Sequence, residues 1–218
     1  MLSYVINLDR RPDRYRRFCA DMKMDGCTRV SAVDHRDIVW TDDLRARVCE
    51  WNFLHIPNTV KNVVACCLSH LSIWEVIRTL DVPYVAVFED DATFIHGPRE
   101  LEALPFPSEF GVIWLNDVVE DVPKTTQSTV AIMDGDIVPH LHYQYTTEGY
   151  IITPAFAGRL CRDISNYLGA VDAHMAQVIS KVEAETGTVV AFQAWPPIIC
   201  QLDRSDTDVQ RSDAPHTA

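Results

Sequence analysis

Short apolar runs closed by polar clusters alternate along this chain with longer segments whose apolar residues recur every three or four positions. The first pattern predicts buried strands and the second amphipathic helices. Ser3–Asn7 is the first predicted strand. Pro12–Met22 is the first predicted helix: Pro12 suits its first turn, Asp9 or Arg11 lies near its cap, and Gly26 ends it. A second strand over residues 27–33 completes a βαβ unit, which predicts a parallel sheet. A short helix over 42–52 and a loop centred on Pro57 lead into a long helix over 60–80. Val60, Val64, Cys67, Leu68, Leu71 and Trp74 form one stripe of that helix, and Cys66, His70, Ile73 and Ile77 another, so it is buried between layers. Further strands are predicted at 84–88, 111–115, 146–152, 189–192 and 198–202, with another at 129–133 inside an irregular stretch. Helices are predicted at 98–104, from Pro154 through Ile164, and at 173–185. The absence of repeats and low-complexity linkers predicts one domain over 1–202 and a polar tail over 203–218.

The strand at 84–88 runs into Glu89-Asp90-Asp91. Three adjacent carboxylates repel one another unless a cation or well-screening water is present. If the chain stays extended, Glu89 and Asp91 point one way and Asp90 the other. Two hard oxygens on one side suit Mg²⁺ or Mn²⁺, with substrate phosphates completing the shell. The alternative is a solvated strand end. In parallel sheets ligands sit beyond the carboxyl ends of strands, so Arg10, Arg11 and Arg14 lie where an anion would bind; a solvated basic patch is the other reading. The strand at 111–115 also ends in a polar pair, Asn116-Asp117. Ser69 and His70 are polar groups on a buried helix and need partners, either in the core or at a ligand. Asp172 is either an N-cap or a chemical group.

Composition narrows the classes. The chain has 218 residues, 47% of them hydrophobic, which allows a full core without a disulfide or zinc staple. A net charge of −12 argues against non-specific nucleic-acid binding. The seven cysteines have no zinc-site spacing, and Cys66-Cys67 are adjacent, which predicts mostly buried thiols in a reducing compartment. No apolar run reaches the length of a membrane span, and Met1 leads straight into a strand, so a cytoplasmic location is expected.

Six segments taken in order resemble glycosyltransferase family 25, which includes lipopolysaccharide-biosynthesis galactosyl- and glucosyltransferases and procollagen galactosyltransferases. They are the run from Val5 to Arg14, Ala32-Val33-Asp34, Cys67-Leu68-Ser69-His70 followed by Trp74, Glu89-Asp90-Asp91, the run from Thr147 to Ile152, and Val171-Asp172. The chain departs from the family at Val64-Ala65, where glycine is usual, and at Ala173, where collagen-type members place an acid.

The resemblance implies a GT-A-like α/β domain with a mixed, mostly parallel sheet. It also implies an inverting transfer of a hexose, galactose or glucose, from a nucleoside-diphosphate sugar (UDP-hexose foremost) to a glycan or protein-linked hydroxyl. Asp91 and Glu89 would hold Mn²⁺ or Mg²⁺. The donor site would draw on Asn7, Arg10, Arg11, Arg14, Asp34, Ser69, His70, Asp90, Gly149 and Tyr150, with Gly149 allowing close backbone approach and Tyr150 stacking on a sugar or base. Asp172, then Asp117, is the expected base. Competing readings are a metal-dependent nucleotidyltransferase, against which the glycine-free segment from Leu8 to Arg14 speaks, and a non-catalytic sugar- or partner-binding protein on the same scaffold.

Overall fold

Alternation along the central strands sorts side chains into two layers. In the computed structural model, which describes residues 1–23, 26–48, 60–116, 136–139 and 146–202, β3 (Val85–Glu89) sends Val85 and Val87 into one apolar cluster and Ala86 and Phe88 into the other. β1 (Ser3–Asn7) does the same with Ile6 and Val5. A strand buried on both faces is apolar at every position, which is why these runs read as continuous rather than alternating.

The main sheet adds β2 (Thr28–Ser31), β5 (Val112–Trp114), β6 (Asp136–Pro139), β7 (Gly149–Ile152) and β8 (Ala191–Trp195), in the order β2-β1-β3-β7-β5-β8-β6. β1, β2, β3, β5 and β8 run one way, and β7 and β6 run the other. This is the mixed, mostly parallel α/β sheet expected of a GT-A-like domain. β4 (Ala92–Phe94) and β9 (Ile199–Gln201) form a separate antiparallel pair.

Among the described residues the helices are α1 (Pro12–Met22), α2 (Asp42–Arg47), α3 (Val60–Ile77), α4 (Arg99–Ala103), α5 (Pro154–Ile164) and α6 (Val171–Thr186). Residues of α3, α5 and α6 share one cluster with Val85, Val87, Trp114 and Tyr150. Phe18 and Met22 of α1 pack on the other face with Phe88, Phe94, Leu101 and Ile199. Burying a side chain of this size contributes about 1.5–3 kcal/mol. α3 has the length and apolarity of a membrane span, but most of it is buried against the sheet and its neighbouring helices.

Several boundaries differ from the sequence pattern. α1 ends at Lys23, which takes the left-handed conformation itself (φ 47°), so Gly26 is not the cap. Thr41 caps α2 by accepting from Leu44 N at 3.1 Å, rather than Asp42 or Asp43 doing so. α3 stops at Ile77, three residues before Leu80. α6 begins at Val171, so Asp172 lies in its first turn and not ahead of it. β4 has no counterpart in the expectation, because three residues are too few to show a period. β6 falls at the edge of the stretch read as irregular. The predicted strand at 129–133, Asp117 and the tail from Asp203 lie outside the described residues.

Candidate functional site

β1, β2 and β3 are parallel and end side by side at Asn7, Ser31 and Glu89. A pocket opens at these ends, walled by α3 on one side and by Arg14 of α1 on the other. Glu89, Asp90 and Asp91 all line it.

The chain turns at Asp90-Asp91 before entering β4, so the extended alternation expected for the triplet does not hold. Glu89 keeps the β3 period and faces α3: its Oε1 lies 3.3 Å from His70 Nε2 and accepts from Thr147 Oγ1. Asp91 does not join Glu89. It groups with Asp90, because one Arg14 nitrogen reaches Asp90 Oδ1 at 2.5 Å and Asp91 Oδ2 at 2.9 Å. Asn7 Nδ2 donates to Asp90 Oδ2 at 2.6 Å, and Gln201 Nε2 donates to Asp91 Oδ2 at 2.9 Å. Asp91 Oδ1 is buried and finds no hydrogen-bond partner among the described residues.

The acids differ in their hold on protons. Burial pushes Asp90 up to about 7 despite Arg14 and Asn7. Burial, then the charge of Glu89, also raises Asp91. Burial works against ionised Glu89 too, but hydrogen bonds from His70 and Thr147 outweigh it and hold Glu89 below the usual carboxylate range. The turn is thus short of positive charge even with Arg14 present.

The basic loop is mostly engaged with its own neighbours. Arg10 Nε donates to Asp34 Oδ2 at 2.8 Å, and Arg11 pairs with Asp13 at 3.1 Å. Asp34 also caps the 3₁₀ turn at His35–Asp37 and binds the Arg36 side chain, which with Arg10 holds its carboxyl far below the ordinary value. Asn7 Oδ1 accepts from Arg29 Nε at 2.7 Å, so Asn7 ties β2 to the acidic turn.

Ser69 lines the pocket, donating to Ala65 O at 2.7 Å and accepting from Val33 N at 2.9 Å, which fastens α3 to the end of β2. His70 is fully buried, with Nδ1 2.8 Å from the Tyr150 hydroxyl. Two expectations are corrected here. Tyr150 is fully buried, its ring edge-on to Trp114 and its hydroxyl accepting from Trp74 Nε1 at 2.9 Å, so it braces His70 and has no face for a sugar or base. Gly149 does allow a close approach, but by the side chains of Ile199 and Phe88, which a Cβ would meet, and not by a ligand.

Asp172 is half-buried in the first turn of α6, where its Oδ1 accepts from Ala173 N at 2.7 Å and the helix dipole favours its charge. Its charge acts on the thiol of Cys66, a residue of the pocket wall.

The pattern of the sequence did not single out Cys66, Thr147 or Glu148. Glu148 is buried behind the acidic turn, receives Asn116 Nδ2 at 2.6 Å, and is pushed up to about 7, first by burial. Its signal was position: its backbone oxygen accepts from Glu89 N at 2.9 Å, which places it beside the end of β3 in the antiparallel β3–β7 pairing. Cys66 had the signal of standing four residues before His70 on one helix face.

Residues 1–175 match the profile of glycosyltransferase family 25 (LPS biosynthesis protein). A Bos taurus protein named "Probable inactive glycosyltransferase 25 family member 3" is 30% identical over 175 residues, covering 72% of this chain and 28% of that relative. The "Procollagen lysyl hydroxylase and glycosyltransferase" of Acanthamoeba polyphaga mimivirus is 32% identical over 108 residues, covering 43% of this chain and 12% of that relative. This chain therefore spans under a third of either relative's length. The matched span runs from β1 into α6 and contains every pocket-lining residue, so the chain belongs to glycosyltransferase family 25, a family of glycosyl transfer.

Proposed function

We propose that the pocket binds a nucleoside-diphosphate sugar, UDP-hexose, with Mn²⁺ or Mg²⁺, and that the chain transfers the hexose, galactose or glucose, with inversion to a hydroxyl of a glycan or protein-linked acceptor. The observation that carries this is Asp91 Oδ1, a buried carboxylate oxygen without a hydrogen-bond partner among the described residues, in a pocket where burial also raises Asp90. Buried polar atoms are ordinarily satisfied, and an anionic oxygen left over suits a hard cation. A divalent ion bound there would neutralise charge developing on a diphosphate leaving group.

In this reading Asp91 is the direct ligand, and Glu89, which faces His70 and not Asp91, orients the ion's waters. Arg14 holds the Asp90-Asp91 turn in place, and Arg10 and Arg11 stand in the loop after β1 where a diphosphate would lie. Asp172 is the favoured base for the acceptor hydroxyl, with Asp117, which follows β5, the second candidate.

A reading without turnover, as a nucleotide-sugar-binding protein, has one observation in its favour: Arg14 already neutralises part of the acidic turn. Thermal-shift titration with UDP-galactose and UDP-glucose, each with Mn²⁺ and with EDTA, followed by a donor-consumption assay, separates the two. A ligand at 100 times its Kd stabilises by about 2.7 kcal/mol. A metal-dependent shift with donor consumption, both lost in Asp91→Asn, supports transfer. A shift without consumption supports binding alone, and no shift in folded protein overturns both.

A further inference from the structure

We propose that Cys66, His70 and Glu89 form a second cation site, one that takes Zn²⁺ in preference to the hard ions assigned to Asp91. The sulfur, one imidazole nitrogen and one carboxylate oxygen of these residues all lie within 4.8 Å of one another. Cys66 and His70 stand four apart on α3 and share one helix face, and Glu89 meets them from the end of β3. Zinc–ligand bonds of about 2.0–2.3 Å put the donors of one tetrahedral ion roughly 3.3–3.8 Å apart, so a contraction of about an ångström completes the site.

The donor set separates this site from its neighbour. Thiolate and imidazole select zinc among the common divalent ions, whereas Mg²⁺ and Mn²⁺ prefer oxygen. Three protein ligands leave a fourth position open, and because all three residues line the pocket, that position faces it.

The supporting shell is already built. His70 sets Nδ1 2.8 Å from the Tyr150 hydroxyl and Nε2 3.3 Å from Glu89 Oε1, so a cation bound at Nε2 would replace the hydrogen bond to Glu89 and leave the ring proton on Nδ1, facing the Tyr150 oxygen. The Tyr150 oxygen is itself fixed by Trp74 Nε1, and His70 is fully buried, so the ring has no other seat. Such partners orient a metal-ligating histidine and set its tautomer. Binding releases the thiol proton to solvent. No paired-cysteine spacing marks the site in the sequence, because two ligands come from a helix and one from a strand nineteen residues further on.

The test uses untagged full-length protein in which Cys19, an exposed thiol, is replaced by serine. Co²⁺ is titrated in and its visible spectrum followed, and Zn²⁺ affinity is read by displacement. One equivalent of Co²⁺ with tetrahedral bands and a thiolate-to-cobalt charge-transfer band is expected. Cys66→Ser should weaken Zn²⁺ at least tenfold, the scale on which metal sites respond to lost ligands and their supports. Asp91→Asn should leave Zn²⁺ affinity within about twofold, since it is not a ligand here. No zinc binding by folded protein, unchanged affinity in Cys66→Ser, or an equal loss in Asp91→Asn would overturn the site. If Cys66→Ser does not fold, the charge-transfer band decides, and its absence at cobalt saturation counts against the proposal.

Discussion

A single nitrogen of Arg14 spans Asp90 and Asp91, at 2.5 Å and 2.9 Å, with all three side chains under a tenth exposed. Removing the guanidinium leaves two buried acids facing each other. Arg14→Met should therefore lower stability by about 3–5 kcal/mol, the cost of breaking a buried ion pair from one side. Urea unfolding measures it. A loss below about 1 kcal/mol would mean that the acids are protonated or solvated without Arg14.

Tyr150→Phe keeps the ring and deletes the oxygen that accepts from Trp74 and meets His70. The expected loss is about 1–3 kcal/mol, because the buried Trp74 N–H loses its acceptor. In a double-mutant cycle with Trp74→Phe the two losses should fall short of additive, since both remove the same bond. Additive losses would show that the Trp74–Tyr150 bond contributes little.

Gly149→Ala places a methyl group against Ile199 Cδ1 and Phe88. Overpacking of this kind costs typically about 1–3 kcal/mol. Pairing it with Ile199→Val, which removes the clashing carbon, should restore part of the loss in thermal unfolding. A Gly149→Ala protein as stable as the parent would show that β9 shifts freely.

His174 supplies a pH dependence away from the pocket. It is buried on α6, its Nε2 has no hydrogen-bond partner among the described residues, and burial holds its pKa below the ordinary 6.5 against a smaller opposing hydrogen bond to Gln177. The folded state keeps the ring neutral while the unfolded state takes a proton below that value, so stability is full above it and falls as pH drops. Between about pH 7 and about pH 5 His174 takes stability away while the raised acids Asp90 and Glu148 add it, so His174→Gln should tilt the melting temperature against pH toward greater stability at the acid end than in the parent. An unchanged slope would assign the acid sensitivity elsewhere.

The elements around the pocket were legible because their signals are local. β1, α1 and β3 show themselves in apolar runs and in three-and-four spacing, and the acidic turn stands in sequence where it stands in space. The directions of its side chains were not legible. Whether Asp91 follows Glu89 or turns to Arg14 depends on β4 pairing with β9, a partner far along the chain. Tyr150 and Gly149 misled for a related reason: a Gly-Tyr step beside a site looks like ligand contact, yet both residues serve packing across the sheet. Cys66, Thr147 and Glu148 stood in the sequence as part of a helix stripe and a strand entry and not as site residues, because each gains its meaning from a neighbour on another element.

The bond from Gln201 to Asp91 joins residues 110 apart, and Leu202 N adds a second tie to Asp91 O at 2.8 Å. The family match ends at residue 175, before β8 and β9 begin. A chain carrying only the matched region therefore lacks the strand that lies between β5 and β6 and the one that clasps the acidic turn. An expression fragment cut at the edge of the family match would carry the motifs without the β4–β9 pairing and the Gln201 bond that hold the acidic turn in place.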